Sequence, residues 1–416
     1  MSDSNTPRLG LPYLAAGQAQ KHVTLNGALA DLDGLVQTVV VSRSLAVPPT
    51  APLDGQIWLV PPQPTGTDWT GLTDRLVRYE AGNWSTLPMV EGHLVYVADE
   101  KTLVLFGAGG WIDVFPQSSP GLRNRLINGG FHIWQRGGTI SCPANQTTFA
   151  ADRWQVWSAD AASTASLRTN DLPKGVRSAL GLAAGGSVTS AAISQTLEQA
   201  MIADLAGERV TLSGWVYASR ALALGVNLYA FAVPDQASSR ANVGWISLGT
   251  LDAGWSALRQ TFVLPVGFIA GGQVEFSLGA LTAGDTVGLA AVQLEGGGMA
   301  SAPEVRLPGG ELWLCQRYFQ LTPALYGLVG TWTSPTTAVM SALLQPAMRT
   351  TPACRPASPG PVTVDCGDGG GSSTSSFAVF GSPANLVLHA DTLSPARTAG
   401  GWAGCNTQII CDAEIW

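Results

Sequence analysis

Hydrolysis of a glycosidic bond asks only for two carboxyl groups about 5–10 Å apart, drawn from any part of a chain. With 29 Asp and Glu among 416 residues, such a pair is the one catalytic device this sequence leaves open. Four histidines, His22, His93, His132 and His389, fall at no metal-ligand spacing such as HExxH. No GxxxxGK[ST] loop is present to cradle a phosphate, and no GxSxG elbow leads into a helix. Asp31 and Asp33 invite comparison with a calcium loop, yet they lie in an expected helix and the other oxygen ligands are missing. Cys142, Cys315, Cys354, Cys366, Cys405 and Cys411 contain no CxxC pair and are too sparse for a disulfide scaffold. They read as reduced packing residues, and the four after position 350 leave open a late disulfide made outside the cell. No catalytic residue, metal site or cofactor is expected.

Charge removes further classes. Lys and Arg number 22, lysine occurs only at Lys21, Lys101 and Lys174, and no basic run exists, so the clustered cations that bind nucleic acid are absent. No stretch of about 18 apolar residues is available for membrane insertion. The first ten residues lack the charged and apolar regions of a signal peptide, so synthesis in the cytoplasm is expected.

The informative residues are aromatic, and strands must position them. Gly (49) and Pro (26) are abundant while charged residues make up 12%, a balance that favours short strands and tight turns. Strands are expected at 209–219, 222–233, 255–265, 273–281 and 286–295, spaced as in an antiparallel sandwich or jelly roll. In the first, Val210, Leu212, Gly214, Val216 and Ala218 form a core face, which turns Thr211, Ser213, Trp215, Tyr217 and Ser219 outward. In the second, Leu222, Leu224, Val226, Leu228 and Ala230 alternate with Asn227, Tyr229 and Phe231. Read as neighbours, the two strands present Trp215, Tyr217, Asn227, Tyr229 and Phe231 on one face. Rings that stack on sugar C–H faces beside groups that hydrogen-bond hydroxyls suit carbohydrate. The alternative is that an adjacent domain or subunit covers this face. Neither outward face holds a carboxylate, the nearest in sequence being Glu208 and Asp235. Trp134 and Trp154 read as core, with Arg136, Asp152 and Arg153 in structural polar contacts.

Upstream, residues 11–40 are expected to be helical. Leu25, Leu29, Leu32, Val36 and Val39 step by 4, 3, 4 and 3 along one seam, which either packs on its own domain or oligomerises around a fibre axis. From 55 to 115 the period becomes two and the chain repeats. Residues 75–84 align with 102–111, and 55–60 resemble 92–97, giving two units of strand, loop, strand, tight turn and aromatic strand. Trp84 and Trp111 occupy matching places after the turns and read as core plugs. The fold class expected is mainly β: an N-terminal helix with a small β module (1–115), a linker (116–123), a central antiparallel β-sandwich or jelly roll (124–305), and a C-terminal β-rich domain (306–416). Residues 367–376, all Gly, Ser, Thr and Asp, are expected to stay unordered.

Two stretches resemble known families. The run Gly17-Gln18-Ala19-Gln20-Lys21-His22-Val23, followed by Val95-Tyr96-Val97-Ala98-Asp99-Glu100 and Gly110-Trp111-Ile112-Asp113-Val114, resembles a domain of uncharacterised function in alphaproteobacterial prophages and gene transfer agents. Residues 126–154 and 291–295 resemble the opening and close of phage tail-fibre sandwich domains, and 311–319 the start of the segment that follows them; those sandwiches are similar to carbohydrate-binding modules. His132 stands where that family commonly carries an acidic residue, which weakens any carry-over of a calcium site. The resemblance implies a virion fibre or spike, with a gene transfer agent head spike as the closest role, displayed on a phage-like particle and made in bacterial cytoplasm. Implied partners are capsular or other surface polysaccharide of the recipient bacterium, other particle proteins, and copies of itself, with a trimer favoured. The competing classes are a purely structural connector and, third, a polysaccharide depolymerase. The expectation is adhesion without enzymatic activity.

Overall fold

The computed structural model describes residues 5–14, 21–107, 110–114, 123–298, 300–366 and 370–415. It divides into two compact units, Met1–Gln117 with Gly297–Met299, and Ser118–Gly296 with Ala300–Trp416.

The first unit carries helix α1 (Lys21–Leu35) and strands β1 (Val39–Val40), β2 (Ile57–Leu59), β3 (Leu76–Glu80), β4 (Asn83–Thr86), β5 (Leu94–Val97), β6 (Thr102–Gly107) and β7 (Gly110–Asp113). The internal repeat is structural. Each copy is a three-stranded antiparallel meander, β2-β3-β4 and β5-β6-β7, and β1 extends the second as a parallel edge strand. The first hairpin turns through Ala81 and Gly82, both at positive φ, as a short turn demands. Trp84 is half-buried, edge-on to Trp58 at 5.2 Å and Trp69 at 5.4 Å. Trp111 packs against the Val95, Val97 and Val104 core, and its indole donates to the Asp74 carbonyl at 2.9 Å.

The helix is shorter than its pattern suggests. Pro12 makes an isolated bridge with Asn5, Val36 follows the last turn, and Val39 belongs to β1, so the seam is helical only from Leu25 to Leu32. Its buried side is instead Ala30, Asp33 and Gly34. Asp33 is fully buried because the turn at 6–9 delivers donors to its carboxylate, the Thr6 hydroxyl at 2.8 Å and the Arg8 amide at 3.1 Å among them. Gly34 gives Leu87 its space, since a Cβ there would lie 2.8 Å from Leu87 Cδ1.

The second unit opens with a sandwich of β8 (Thr139–Cys142), β9 (Thr148–Phe149), β10 (Trp154–Ser158), β11 (Ser163–Arg168), β12 (Ala179–Ala184), β13 (Ala191–Leu197), β14 (Arg209–Ala218), β15 (Leu222–Phe231), β16 (Arg240–Leu251), β17 (Gly254–Val263), β18 (Gly272–Ser277) and β19 (Thr286–Gly296), with the short α2 (Gln199–Ile202). Two six-stranded antiparallel sheets result, in the orders β16-β15-β18-β13-β10-β9 and β17-β14-β19-β12-β11-β8. The core between them takes Val210, Leu212 and Val216 from β14, and Val226 and Leu228 from β15, as their parity dictates, with Trp154 fully buried. A bulge shifts the β14–β19 register between Ser213 and Trp215. Gly214 accommodates it at φ 149, where a Cβ would meet Val292 Cα at 3.0 Å.

The same unit continues into α3 (Pro308–Gln316), β20 (Phe319–Leu321), β21 (Leu328–Ser334), β22 (Thr337–Leu343), β23 (Ala353–Pro356), β24 (Val362–Asp365), β25 (Gly371–Thr374), β26 (Ser376–Gly381), β27 (Asn385–Asp391), β28 (Trp402–Cys405) and β29 (Ile409–Asp412). These make a seven-stranded sheet, β25-β24-β28-β21-β22-β27-β26, and a three-stranded one, β20-β29-β23. The Gly/Ser tract departs from expectation. Its 371–374 part is the paired strand β25, with Ser372 buried and its hydroxyl donating to the Pro395 carbonyl at 2.7 Å. Hydrogen bonding orders what apolar surface cannot. Residues 367–369 and the linker stretch 116–121 lie outside the described residues.

Candidate functional site

The five aromatic and amide residues selected from strand parity do face away from the core, but not together. β14 and β15 belong to opposite sheets, so Trp215 and Tyr217 lie on one outer surface and Asn227, Tyr229 and Phe231 on the other. The single face expected from sequence does not exist. On the β14 side, Tyr217 and Trp255 stand 5.4 Å apart, and the Arg168 guanidinium covers the Tyr217 ring at 4.1 Å. The Trp255 indole donates to the Asp171 carbonyl at 2.6 Å. On the β15 side, Phe231 is buried against Ile127, Cys315, Tyr318 and Ile415, so the chain from α3 onward covers that end of the sheet.

What β15 leaves open is a cleft of about 350 Å³ on its outer face. Strand register builds it. One transverse row runs Gln155, Ser194, Glu275, Asn227, Trp245 across β10, β13, β18, β15 and β16. The next row runs Trp157, Ala192, Ser277, Gly225, and Ala192 and Ser277 form a trough. Trp157 stands at one rim. At the other, Trp245 is 56% exposed and leans over Gly225, where a Cβ would come within 2.1 Å of its ring. Three strand spacings of about 4.8 Å separate the rims.

The polar floor is internally fixed. Asn227 donates to Glu275 Oε1 at 3.0 Å and the Tyr229 hydroxyl donates to the same oxygen at 3.3 Å, while Asn242 donates to Asn227 Oδ1 at 3.0 Å. Burial beside Glu275 pushes the Tyr229 hydroxyl pKa up, so it stays a donor. Gln273 donates to Gln155 Oε1 at 3.1 Å and to Ser194 Oγ at 2.8 Å, and its own carbonyl oxygen accepts from Arg240. Arg240 also stands over the Tyr229 ring at 5.0 Å. Glu275 is the one carboxylate among the described residues lining the cleft. It lies in the expected strand 273–281 but was not joined to the aromatic face in sequence, since only the pairing of β18 beside β15 brings it there. Trp157 was legible in principle, because Trp154 and Val156 are core and parity turns Gln155 and Trp157 outward. Trp245 was not, because β16 alternates weakly.

The polar residues near the sandwich opening are structural. Asp152 accepts from the Gln135 amide at 2.7 Å and its side chain at 2.8 Å. Arg153 is fully buried, ion-paired with Glu414 and stacked 3.4 Å from the Tyr318 ring centre. His132 meets Ser178 Oγ at 2.5 Å, and burial pushes its pKa down. Among the described residues no group of three or more His, Cys, Asp or Glu is arranged to hold a metal ion.

Residues 25–112 match a family described as a protein of unknown function, DUF2793. No curated protein gave a match. Among solved structures, the chain is similar to a family 61 carbohydrate-binding module in complex with β-1,4-galactotriose, at 13% identity over 42% of this chain and 99% of that one, TM-score 0.27. It is similar to the C-terminal family 22 carbohydrate-binding module of a Clostridium thermocellum protein, at 10% identity over 39% and 99%, TM-score 0.28. It is also similar to the enzymatically active domain of bacteriophage CBA120 tailspike protein 4, at 11% identity over 42% and 21%, TM-score 0.28. Identities this low speak to no shared ligand.

Proposed function

We propose that this chain is a fibre or spike component of a phage-like particle, of the gene transfer agent kind, and that its sandwich holds polysaccharide on the surface of the recipient bacterium. The observation that carries the reading is the transverse row on the outer β15 sheet. A trough of Ala192 and Ser277 lies between Trp157 and the Trp245 ring that covers Gly225, beside a floor of amides and a tyrosine hydroxyl already held in place. Flat rings at the rims and fixed donors and acceptors between them suit sugar rings, whose faces are C–H and whose edges are hydroxyls. Fixed partners lose little freedom on binding. The particle assignment is supported by the resemblance of the 17–23 run and the strands after it to prophage and gene transfer agent proteins.

The reading includes no turnover of the bound glycan. Glycoside hydrolysis needs a second carboxyl about 5–10 Å from the first, and Glu275 has none beside it among the cleft's described lining residues. The test is adsorption of the full-length protein to purified capsule, with polymer size followed over a day. Retention that disappears in Trp245→Ala with polymer length unchanged supports the proposal. Equal retention by Trp245→Ala and Tyr229→Ala variants overturns the site, and progressive shortening of the polymer overturns the non-enzymatic part.

A further inference from the structure

Cys354 and Cys411 sit directly opposite one another across β23 and β29, and their sulfurs are 3.6 Å apart. The ladder alternation shows what kind of pair this is. Ala357, one residue beyond β23, donates to the Gln408 carbonyl at 2.8 Å, which makes 357/408 a hydrogen-bonded pair. Counting back, 356/409 is non-hydrogen-bonded, 355/410 hydrogen-bonded and 354/411 non-hydrogen-bonded. Pro356 agrees with this count, having no N–H to give the ladder. Non-hydrogen-bonded antiparallel pairs bring Cα atoms to about 4.5 Å with side chains drawn together, inside the range of roughly 4.4–6.8 Å that a disulfide spans.

The surroundings hold the pair in place and leave one member reachable. Cys411 is fully buried, whereas Cys354 is partly exposed. Gly381 on β26 backs Cys354, and a Cβ there would stand 2.7 Å from its sulfur. Cys354 also meets the Pro352 carbonyl at 3.6 Å, as Cys142, Cys366 and Cys405 meet the carbonyls of Ile140, Gly370 and Thr407, but only Cys354 among these has a second sulfur in contact.

We propose that Cys354 and Cys411 form a disulfide when the protein meets an oxidising environment containing a low-molecular-weight disulfide, stapling the last strand, β29, to β23. The Cys354 thiolate attacks one sulfur of the small disulfide, whose S–S bond breaks and releases one thiolate. Cys411 then loses its proton to solvent and attacks the Cys354 sulfur, releasing the second small thiolate. Two protein thiols are oxidised and one small disulfide is reduced to two thiols. The order follows from access, and it agrees with the contact between the sulfurs lowering the Cys354 pKa while raising that of Cys411. The staple closes a loop between residues 57 apart. It locks the strand that leads directly into Glu414, the buried partner of Arg153, so the C-terminal part resists peeling from the sandwich outside the cell.

The experiment equilibrates full-length protein in oxidised glutathione or in dithiothreitol, blocks free thiols with iodoacetamide, maps the peptides by mass, and measures thermal midpoints. A linked peptide containing Cys354 and Cys411, and a midpoint about 5–10 °C higher than in the reduced protein, support the proposal. Cys354→Ser, at the more exposed position, abolishes both the link and the redox-dependent shift. Cys411→Ala does the same where it folds. Full alkylation of both thiols in folded, glutathione-oxidised protein overturns it, as does a link to any other cysteine.

Discussion

Trp245 closes over Gly225 and keeps more than half of its surface in solvent, so its ring is both anchored and available. Removing it strips one rim of the trough without touching the core. Trp245→Ala and Asn227→Ala are each expected to weaken polysaccharide binding roughly tenfold, about 1.4 kcal/mol, in affinity electrophoresis or calorimetry. Trp215→Ala, on the opposite sheet, is expected to leave binding unchanged, and a loss there would move the site to the Arg168–Tyr217–Trp255 surface. Among the described residues lining the cleft, Glu275 and Arg240 are the charged ones. Glu275→Gln keeps an oxygen for Asn227 and Tyr229 but removes the negative charge, so retention of uronic-acid polymers is expected to rise about two- to tenfold, while neutral polymers change less. Parity in the sequence identified Asn227 and Tyr229 correctly as outward residues. It turns Glu275 outward in the expected strand 273–281 but had no means of placing Glu275 or Trp245 beside them, because these reach the same face through strand pairing rather than through proximity in the chain.

Strand faces were legible along each element, and strand order was not. Alternation in 209–219 and 222–233 assigns the sandwich-core residues of β14 and β15 as observed, because a side chain's face depends only on local pleat, but it misses the bulge at Gly214 and the burial of Phe231 under the C-terminal part. Which sheet a strand joins depends instead on where the connection leads. Residues 219–221 carry the chain from one sheet to the other, and three residues without a distinctive turn signal look the same whether they close a hairpin or arch across a sandwich. The C-terminal tail was equally hidden, since Glu414 and Ile415 matter only once folded against Arg153 and Phe231. That attachment gives a pH prediction. Burial raises the Glu414 pKa above its ordinary 4.5 despite the opposing charge of Arg153. Between the ordinary carboxylate pKa and the raised one, the folded chain binds a proton that the unfolded chain has released, so this group's contribution to stability falls as pH rises through that window. Arg153→Ala leaves the carboxylate buried without its main partner and is expected to cost about 3–5 kcal/mol at pH 7. The loss shrinks as pH is lowered towards 5, which thermal melts of both proteins across that range will show. A loss that stays constant with pH would mean that packing on Tyr318, not charge, is what Arg153 supplies.

At the scale of the molecule, the first unit exposes what a monomer ordinarily hides. α1 is 15 residues long, a length at which a helix without tertiary support is marginal in water, and its attachment is concentrated at its C-terminal end. There Ala30, Asp33 and Gly34 are buried, the Ala30 carbonyl accepts from Arg78, and the Gly34 carbonyl accepts from Arg8 at 3.1 Å. Arginines at the last carbonyls suit the helix dipole but do not cover the rest of the helix. Val23, Leu25 and Leu32 are exposed along it, and Val39, Leu94 and Tyr96 are exposed on the neighbouring β1–β5 strands. Soluble monomers rarely leave so much apolar surface uncovered unless a partner takes it. Of the seam read from Leu25 to Val39, Leu25, Leu32, Val36 and Val39 are exposed and Leu29 is half-buried, although Val36 and Val39 belong to a turn and a strand rather than to a continuous helix. Association of copies through this surface would also multiply weak contacts at the sandwich, since several linked sites can raise effective affinity by roughly 10²–10⁴. The full-length protein is expected to sediment as an oligomer at micromolar concentration. Leu25→Asp with Leu32→Asp, two positions that contribute nothing to the buried core, is expected to give a folded monomer whose thermal midpoint no longer depends on concentration. That monomer should bind short oligosaccharides as the parent does and lose its grip on long polymer. A wild-type chain that sediments as a monomer, or a double variant that stays oligomeric, removes α1 from the interface and with it the proposed source of avidity.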